Sequence, residues 1–495
     1  MNPAASTTFV GMDRRYPASR TKKDKSDFEL VCFDGHRRLV VETASGSHPE
    51  ELEVEKTLDG GRLALCTLSA KNAAWMRRAF PYLAPSANPG VAVSIGLGDR
   101  LGRAAAGHLK ALEGLPVFPV LAQQSMRELR LTGRNYGEVL DAATWGVFET
   151  GWKGGYGADG DHLKTGEELD YALDRGFTMI TLDCSDHIDK ALATLPDVEI
   201  HARYLQLPAS ERADLEARYL AGGEPMLKTL GISMDREGFE RRVLTYRGAI
   251  AHSVDMYCTR IEKAGRRIDF EVSIDETATT TSPADHAFVA LELLRAGVRP
   301  MSLAPRFCGE FQKGVDYRGD VDRFRVEFAE HAAIARVLGY RVSVHSGSDK
   351  FLVFPIVGSE APEGYHLKTA GTHWLEALRV LAACEPEFFR EIIAVSLASL
   401  PEARGFYHIS GDASRVAPVE SLSDAELPGL LDQDDARQIL HITYGHILTH
   451  PESDGVTLGD RIHAALDRLE AEYADGLVLH MKRHTDGLGL TRHES

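Results

Sequence analysis

No Cys-x-x-Cys pair occurs in the chain: Cys32, Cys66, Cys184, Cys258, Cys308 and Cys384 stand far apart. That spacing excludes a zinc knuckle and a disulfide framework, and it reads as reduced thiols of a cytoplasmic protein. An excess of basic charge is missing too. Lys and Arg number 56 against 73 Asp and Glu, a net charge of −17. This argues against nucleic acid or an anionic membrane surface as the main partner, since both need a basic footprint. A small anionic substrate stays open, because a local cluster of Arg and Lys can hold one carboxylate. No apolar run approaches the length of a membrane span. The first thirty residues carry polar pieces such as Arg20-Thr-Lys-Lys-Asp-Lys25 where a signal peptide would have an apolar core. There is no fixed-period repeat and no low-complexity tract. A dinucleotide fingerprint is also lacking. Gly96-Leu-Gly-Asp-Arg-Leu-Gly102 is GxGxxxG and reads as a tight strand-to-helix turn, able at most to help hold a carboxylate.

What is present is an alternation of textures. Residues 1–27 are expected to form a mobile tail. Residues 28–85 hold three short β-like runs (Phe28–Phe33, Arg38–Glu42 and Arg62–Cys66) and predict a small β-rich N-terminal unit ending at a Pro/Gly cluster. From residue 86 to 449, apolar β-like runs alternate with amphipathic helices, the pattern of parallel strands joined by crossovers. The runs are Val91–Ile95, Val117–Leu121, the Gly157 region, Thr178–Leu182, Asp269–Ile274, Met301–Ala304, Arg341–Val344, Tyr365–Leu367 and Tyr407–Ile409. These nine are close to the eight of a TIM-type (β/α)8 barrel. Residues 188–265 read as a helical insertion, and residues 450–495 as a C-terminal helical extension.

Polar clusters sit at the C-terminal ends of the runs, which in a (β/α)8 barrel is the catalytic face. Gly157-Ala-Asp-Gly-Asp-His162 puts two carboxylates and an imidazole on a flexible frame. His162, Glu310 and His345 lie on different strand ends and suit a catalytic divalent metal with open positions. Asp161 and the pair Asp275-Glu276 offer a base and an acid. Arg306, Lys350 and Lys368 can hold an anionic substrate, and Gln124, with Gln123 and Ser125, and Ser346 can hydrogen-bond its hydroxyls. A polyhydroxylated acid fits this inventory. Zinc, manganese, iron, cobalt and nickel all remain open, and so does a homo-oligomeric state.

The motifs Gly98-Asp-Arg-Leu-Gly102, Ala122-Gln-Gln-Ser125, Asp141-Ala-Ala-Thr-Trp-Gly146, Gly157–His162, Phe270–Thr277, Arg306–Glu310, His345–Phe351, Lys368–Thr372 and Thr443-Tyr-Gly445 occur in this order. In that set the chain resembles the tagaturonate/fructuronate epimerases; Gly160 replaces an expected Ala and leaves the polar groups in place. The resemblance implies a metal-dependent isomerase interconverting two keto-uronates in hexuronate catabolism. It also implies Asp161 as proton acceptor, His162 and His345 as metal ligands, and a carboxylate of Asp275-Glu276, taken as Glu276, as proton donor. Glu310 as third ligand is inferred from spacing. The carbinol carbon at which these uronates differ is β to the ketone, so retro-aldol cleavage and re-addition is the expected route. A sugar-acid isomerase or aldolase on the same barrel, and a non-catalytic sugar-acid binding protein, are the alternatives.

Overall fold

In the computed structural model, which describes residues 12–44, 48–277, 279–369 and 371–492, the chain opens with an antiparallel sheet. Its strands are β1 (Met12–Lys23), β2 (Ser26–Phe33), β3 (His36–Thr43), β4 (Val54–Leu58) and β5 (Leu63–Cys66), in the order β1-β2-β3-β5-β4. Of the expected mobile tail, Met12–Lys23 is therefore edge strand β1, and residues 1–11 lie outside the described residues. The register of β1 against β2 slips between Tyr16 and Thr21, around Pro17, which has no N–H to give a ladder. Ser19 fills the break: its hydroxyl donates to Tyr16 O at 2.6 Å and accepts from Leu30 N at 2.8 Å.

Eight parallel strands follow and close on themselves: β6 (Val93–Leu97), β7 (Val117–Ser125), β8 (Gly157–Leu163), β9 (Met179–Asp183), β10 (Asp269–Ser273), β11 (Ser302–Ala304), β12 (Arg341–Val344) and β13 (Tyr365–Thr369). β13 pairs with β6 to complete the barrel. Eight of the nine expected runs are thus barrel strands. Tyr407–Ile409 forms no strand; it lies in irregular chain beyond the barrel's last strand, and Tyr407 rests against the Tyr444 hydroxyl at 3.0 Å. The insertion is helical as expected, with Asp197–Tyr204, Ala209–Tyr219, Pro225–Thr229 and the long Arg236–Met256 leading through a π-turn to β10. Arg242 and Arg218 anchor it to the next crossover helix through Asp285 at 2.7 Å and Glu292 at 2.6 Å.

After β13, helices from Thr372–Cys384 to Glu470–Gly487 build a second apolar core around Trp374, Phe389, Leu440 and Ile462. Among the described residues no helix is long and apolar enough to cross a membrane. One glycine guards the barrel's closure. Gly364 enters β13 at φ +125°, where a Cβ would meet Ala92 O at 2.2 Å. Gly364→Ala is expected to cost about 1–3 kcal/mol, since L-residues avoid that backbone region and the neighbour is itself backbone; a lowered thermal midpoint measures it.

Candidate active site

Strand parity decides what fills the barrel. Phe118, Val120 and Met179 form an apolar floor with Val91 and Met301. Above it the interior turns polar. Lys368 Nζ on β13 donates to Asp161 Oδ1 at 2.7 Å and Asp159 Oδ2 at 3.0 Å on β8, lies 3.0 Å from Glu271 Oε1 on β10, and reaches the Thr181 hydroxyl on β9. Ser302 donates to the other oxygen of Glu271. Against its burial, Asp159, Asp161 and Glu271 hold the Lys368 ammonium well above its ordinary range. Burial pushes Asp159 up, whereas Asp161 and Glu271 are held well down against burial, Asp161 by His162 and Lys368 and Glu271 by Lys368 and His345. One cation thus binds together three carboxylates from two strands.

The two predicted histidines meet at the top of this column. His162, at φ +53°, places Nδ1 2.8 Å from Asp161 Oδ1, and its ring centroid lies 4.8 Å from that of His345. His345 has Nε2 2.7 Å from Glu271 Oε1 and Nδ1 3.1 Å from Asp275 Oδ2. Against burial, Asp275 and Glu271 push His345 up to about 9. Donor atoms of His162, Asp275 and His345 lie within 4.8 Å of one another. The chemistry of this set fits a divalent cation. Each imidazole has a carboxylate behind one nitrogen, Asp161 for His162 and Glu271 for His345. Such a contact fixes the tautomer and frees the other nitrogen for a metal.

Glu310 is not brought to this group. Beyond β11 the chain doubles back in an antiparallel bridge between Glu310 and Arg318, which leaves Glu310 exposed and accepting from Gln312 Nε2 at 2.6 Å. Asp275 stands where Glu310 was expected. Its Oδ1 accepts from Ser273 Oγ at 2.5 Å, and, against burial, His345 holds it ionised.

A cavity of about 470 Å³ opens over the group, a size ordinary for a small-molecule site. Asp161, His162, Glu276, His345, Ser346, Lys350 and Lys368 line it, with Glu276 exposed at the mouth. Arg306 does not. Its guanidinium turns back to Thr277 O, and its backbone N–H donates to Thr281 Oγ1 at 2.9 Å. Gln124 also faces away: β7 has a bulge between Val120 and Ala122, after which Gln123 and Ser125 pair with Asp159 and Asp161 and face the barrel interior. Gln123 packs so closely over Gly96 that a Cβ there would sit 2.4 Å from its Oε1. Lys350 lines the cavity but spends its ammonium on three carbonyls, Val315 O at 2.6 Å, Ser348 O at 2.9 Å and Gln312 O at 3.0 Å. Lys313 is the less committed cation; it donates to Ser346 Oγ at 3.0 Å, and burial lowers its pKa, with Arg127 adding to the effect. The Gly96–Gly102 turn does hold a carboxylate, its own: Asp99 accepts from Leu101, Gly102 and Ala104 N–H groups at 2.6–3.0 Å.

Glu271, Lys313 and Arg127 were not among the expected residues. For Glu271 a signal existed. Glu271, Ser273 and Asp275 alternate, so a strand that puts Asp275 in the site also points Glu271 inward. Lys313 and Arg127 sit on a loop and a helix start, and no periodicity marks them.

Fold and site together define a (β/α)8-barrel enzyme with acid–base groups and a cation-capable triad at the C-terminal mouth of its strands. The chain matches the tagaturonate epimerase family over residues 16–488. It is 41% identical over 477 residues to the tagaturonate/fructuronate epimerase of Thermotoga maritima, covering 95% of this chain and 96% of that protein. The crystal structure of the fructuronate-tagaturonate epimerase from Cohnella laeviribosi superposes with a TM-score of 0.92 at 43% identity, covering 96% of each chain. Its complex with one glycerol gives the same TM-score, covering 97% of each. This chain belongs to the tagaturonate epimerase family, and it is an epimerase of the isomerase class.

Proposed function

We propose that this enzyme interconverts D-tagaturonate and D-fructuronate in hexuronate catabolism, with a divalent metal and by retro-aldol cleavage and re-addition. The observation that carries the reading is the meeting of His162, His345 and Asp275, each backed by a hydrogen-bond partner, in a cavity lined by both carboxylates and cations. These three residues would hold the cation, which would supply Lewis-acid stabilisation of charge developing on the ketone oxygen.

Asp161 is the base. Kept ionised by His162 and Lys368, it accepts the proton of the β-hydroxyl as the carbon–carbon bond opens to an aldehyde and an enediolate. The aldehyde turns its other face, the bond re-forms, and Glu276 gives a proton to the new alkoxide; in reverse the two exchange roles. Lys313 and Arg127 are assigned to the substrate carboxylate in place of Arg306 and Lys350, and Gln123 and Ser346 to its hydroxyls. Unpaired thiols support a reducing compartment, and we place the enzyme in the cytoplasm.

NMR of D-tagaturonate incubated with enzyme in deuterated water tests the reading: fructuronate with no deuterium at the epimerised carbon is expected. Deuterium there sinks the retro-aldol route, and accumulating cleavage fragments make the enzyme an aldolase. Chelated protein is expected to be inactive until one of zinc, manganese, iron, cobalt or nickel is restored, with activity in the chelated form ending the metal assignment. Glu271→Gln is expected to weaken metal binding about 10–100-fold by loosening His345, as read by competition with a chromogenic chelator.

A further inference from the structure

Outside the barrel, Asp349, His480 and His484 converge in a buried cluster that the reaction does not use. His480 and His484 are one turn apart on the helix Glu470–Gly487, and Asp349 follows β12 at φ +56°. All three side chains are almost fully buried, at 3%, 0% and 5% exposure. Asp349 Oδ2 pairs with Arg437 at 2.5 Å. Its Oδ1 makes no hydrogen bond, although it lies 3.3 Å from His480 Nε2 and 3.5 Å from His484 Nε2.

Those separations are long for hydrogen bonds. They match the edges of a tetrahedron around an ion with bonds of roughly 2.0–2.1 Å, which are about 3.3–3.4 Å. His484 is also held from behind, its Nδ1 donating to His480 O at 3.0 Å, which directs Nε2 at the carboxylate; behind His480, Glu376 Oε1 lies 3.4 Å from Nδ1.

We propose that Asp349, His480 and His484 form a second, structural site for a first-row divalent cation of the zinc class, tying the loop after β12 to the C-terminal helix. Two imidazoles and a carboxylate are borderline donors suited to that class, with a water completing the shell. The ion replaces the bond that Asp349 N–H now makes to His484 Nε2 at 3.1 Å. Arg437 already pairs with the far oxygen of Asp349, so Oδ1 is the carboxylate oxygen left facing the two imidazoles. The site stands apart from the proposed reaction.

Bound zinc per chain, measured by atomic emission after chelation and reloading with zinc alone, tests it. Two ions are expected in the native sequence and one in either His484→Gln or His345→Gln. One ion that His345→Gln loses and His484→Gln keeps overturns the proposal, as does unchanged loading in His484→Gln. Should His484→Gln not fold, anomalous diffraction at the zinc edge from zinc-loaded native crystals decides: a peak bonded to Asp349, His480 and His484 supports the site, and no peak there overturns it.

Discussion

Lys368→Met is expected to be the most destabilising single change in the barrel interior, at about 3–5 kcal/mol, the range for removing one partner of a buried ion pair. The ammonium sits within 3.0 Å of Asp159, Asp161 and Glu271, all three buried, and the replacement leaves only the imidazoles of His162 and His345 beside Asp161 and Glu271. Buried carboxylates so close together cannot all stay ionised. Proton uptake on unfolding should therefore fall, because the variant's native state already carries a proton that the wild type lacks. Asp161 and Glu271, held down in the wild type, contribute stability above the ordinary carboxylate range that is lost as pH falls through their native values. In Lys368→Met that contribution shrinks, so the deficit is widest near neutral pH and narrows in acid. Denaturation midpoints from pH 4 to 8 check this; a uniform deficit would count against it. Asp159→Asn added to Lys368→Met should recover part of the loss.

Asp161→Asn should reduce kcat by roughly 10²–10⁴-fold, the usual weight of a positioned general base. The amide is nearly isosteric, so it can keep some contact with His162 and Lys368, but it cannot accept the proton. If Asp161 only orients His162, the loss will instead appear as weaker metal binding, with kcat restored at saturating metal. Steady-state kinetics at two metal concentrations separates the outcomes. Glu276→Gln is the partner experiment. Glu276 is exposed at the cavity mouth, so its loss should leave stability unchanged while slowing turnover in both directions.

The barrel was legible because a buried parallel strand must be a short apolar run and its crossover an amphipathic helix. Where that physics was interrupted, so was the reading. β1 is an edge strand rich in Arg and Lys with a proline at its bulge, which a composition rule takes for tail. Tyr407–Ile409 has the composition of a strand, but β6 had already closed the barrel against β13. In the site, residues at strand ends were placed well because the chain must deliver them to one mouth. Gln124 was misdirected by a single extra residue in β7, which reverses inside and outside for everything beyond it. Glu310 and Arg306 belong to a long loop, where no period constrains direction and only tertiary contacts decide. Lys313, on the same loop, reaches the cavity for reasons equally invisible in sequence.

The helix Glu470–Gly487 bears on the order of assembly. Glu470 at its start accepts from Tyr16 OH at 2.8 Å and pairs with Arg37 at 3.1 Å, while Leu477 packs against Gly107 in the first barrel crossover and His484 accepts from Asp349 N–H. It is synthesised after everything it touches. During translation the opening sheet and the first crossover thus emerge hundreds of residues before the surface that covers them, so their apolar faces wait for a partner the ribosome has yet to release. Emergence of this helix, more than closure of the barrel strands, then sets when the molecule becomes resistant to proteolysis.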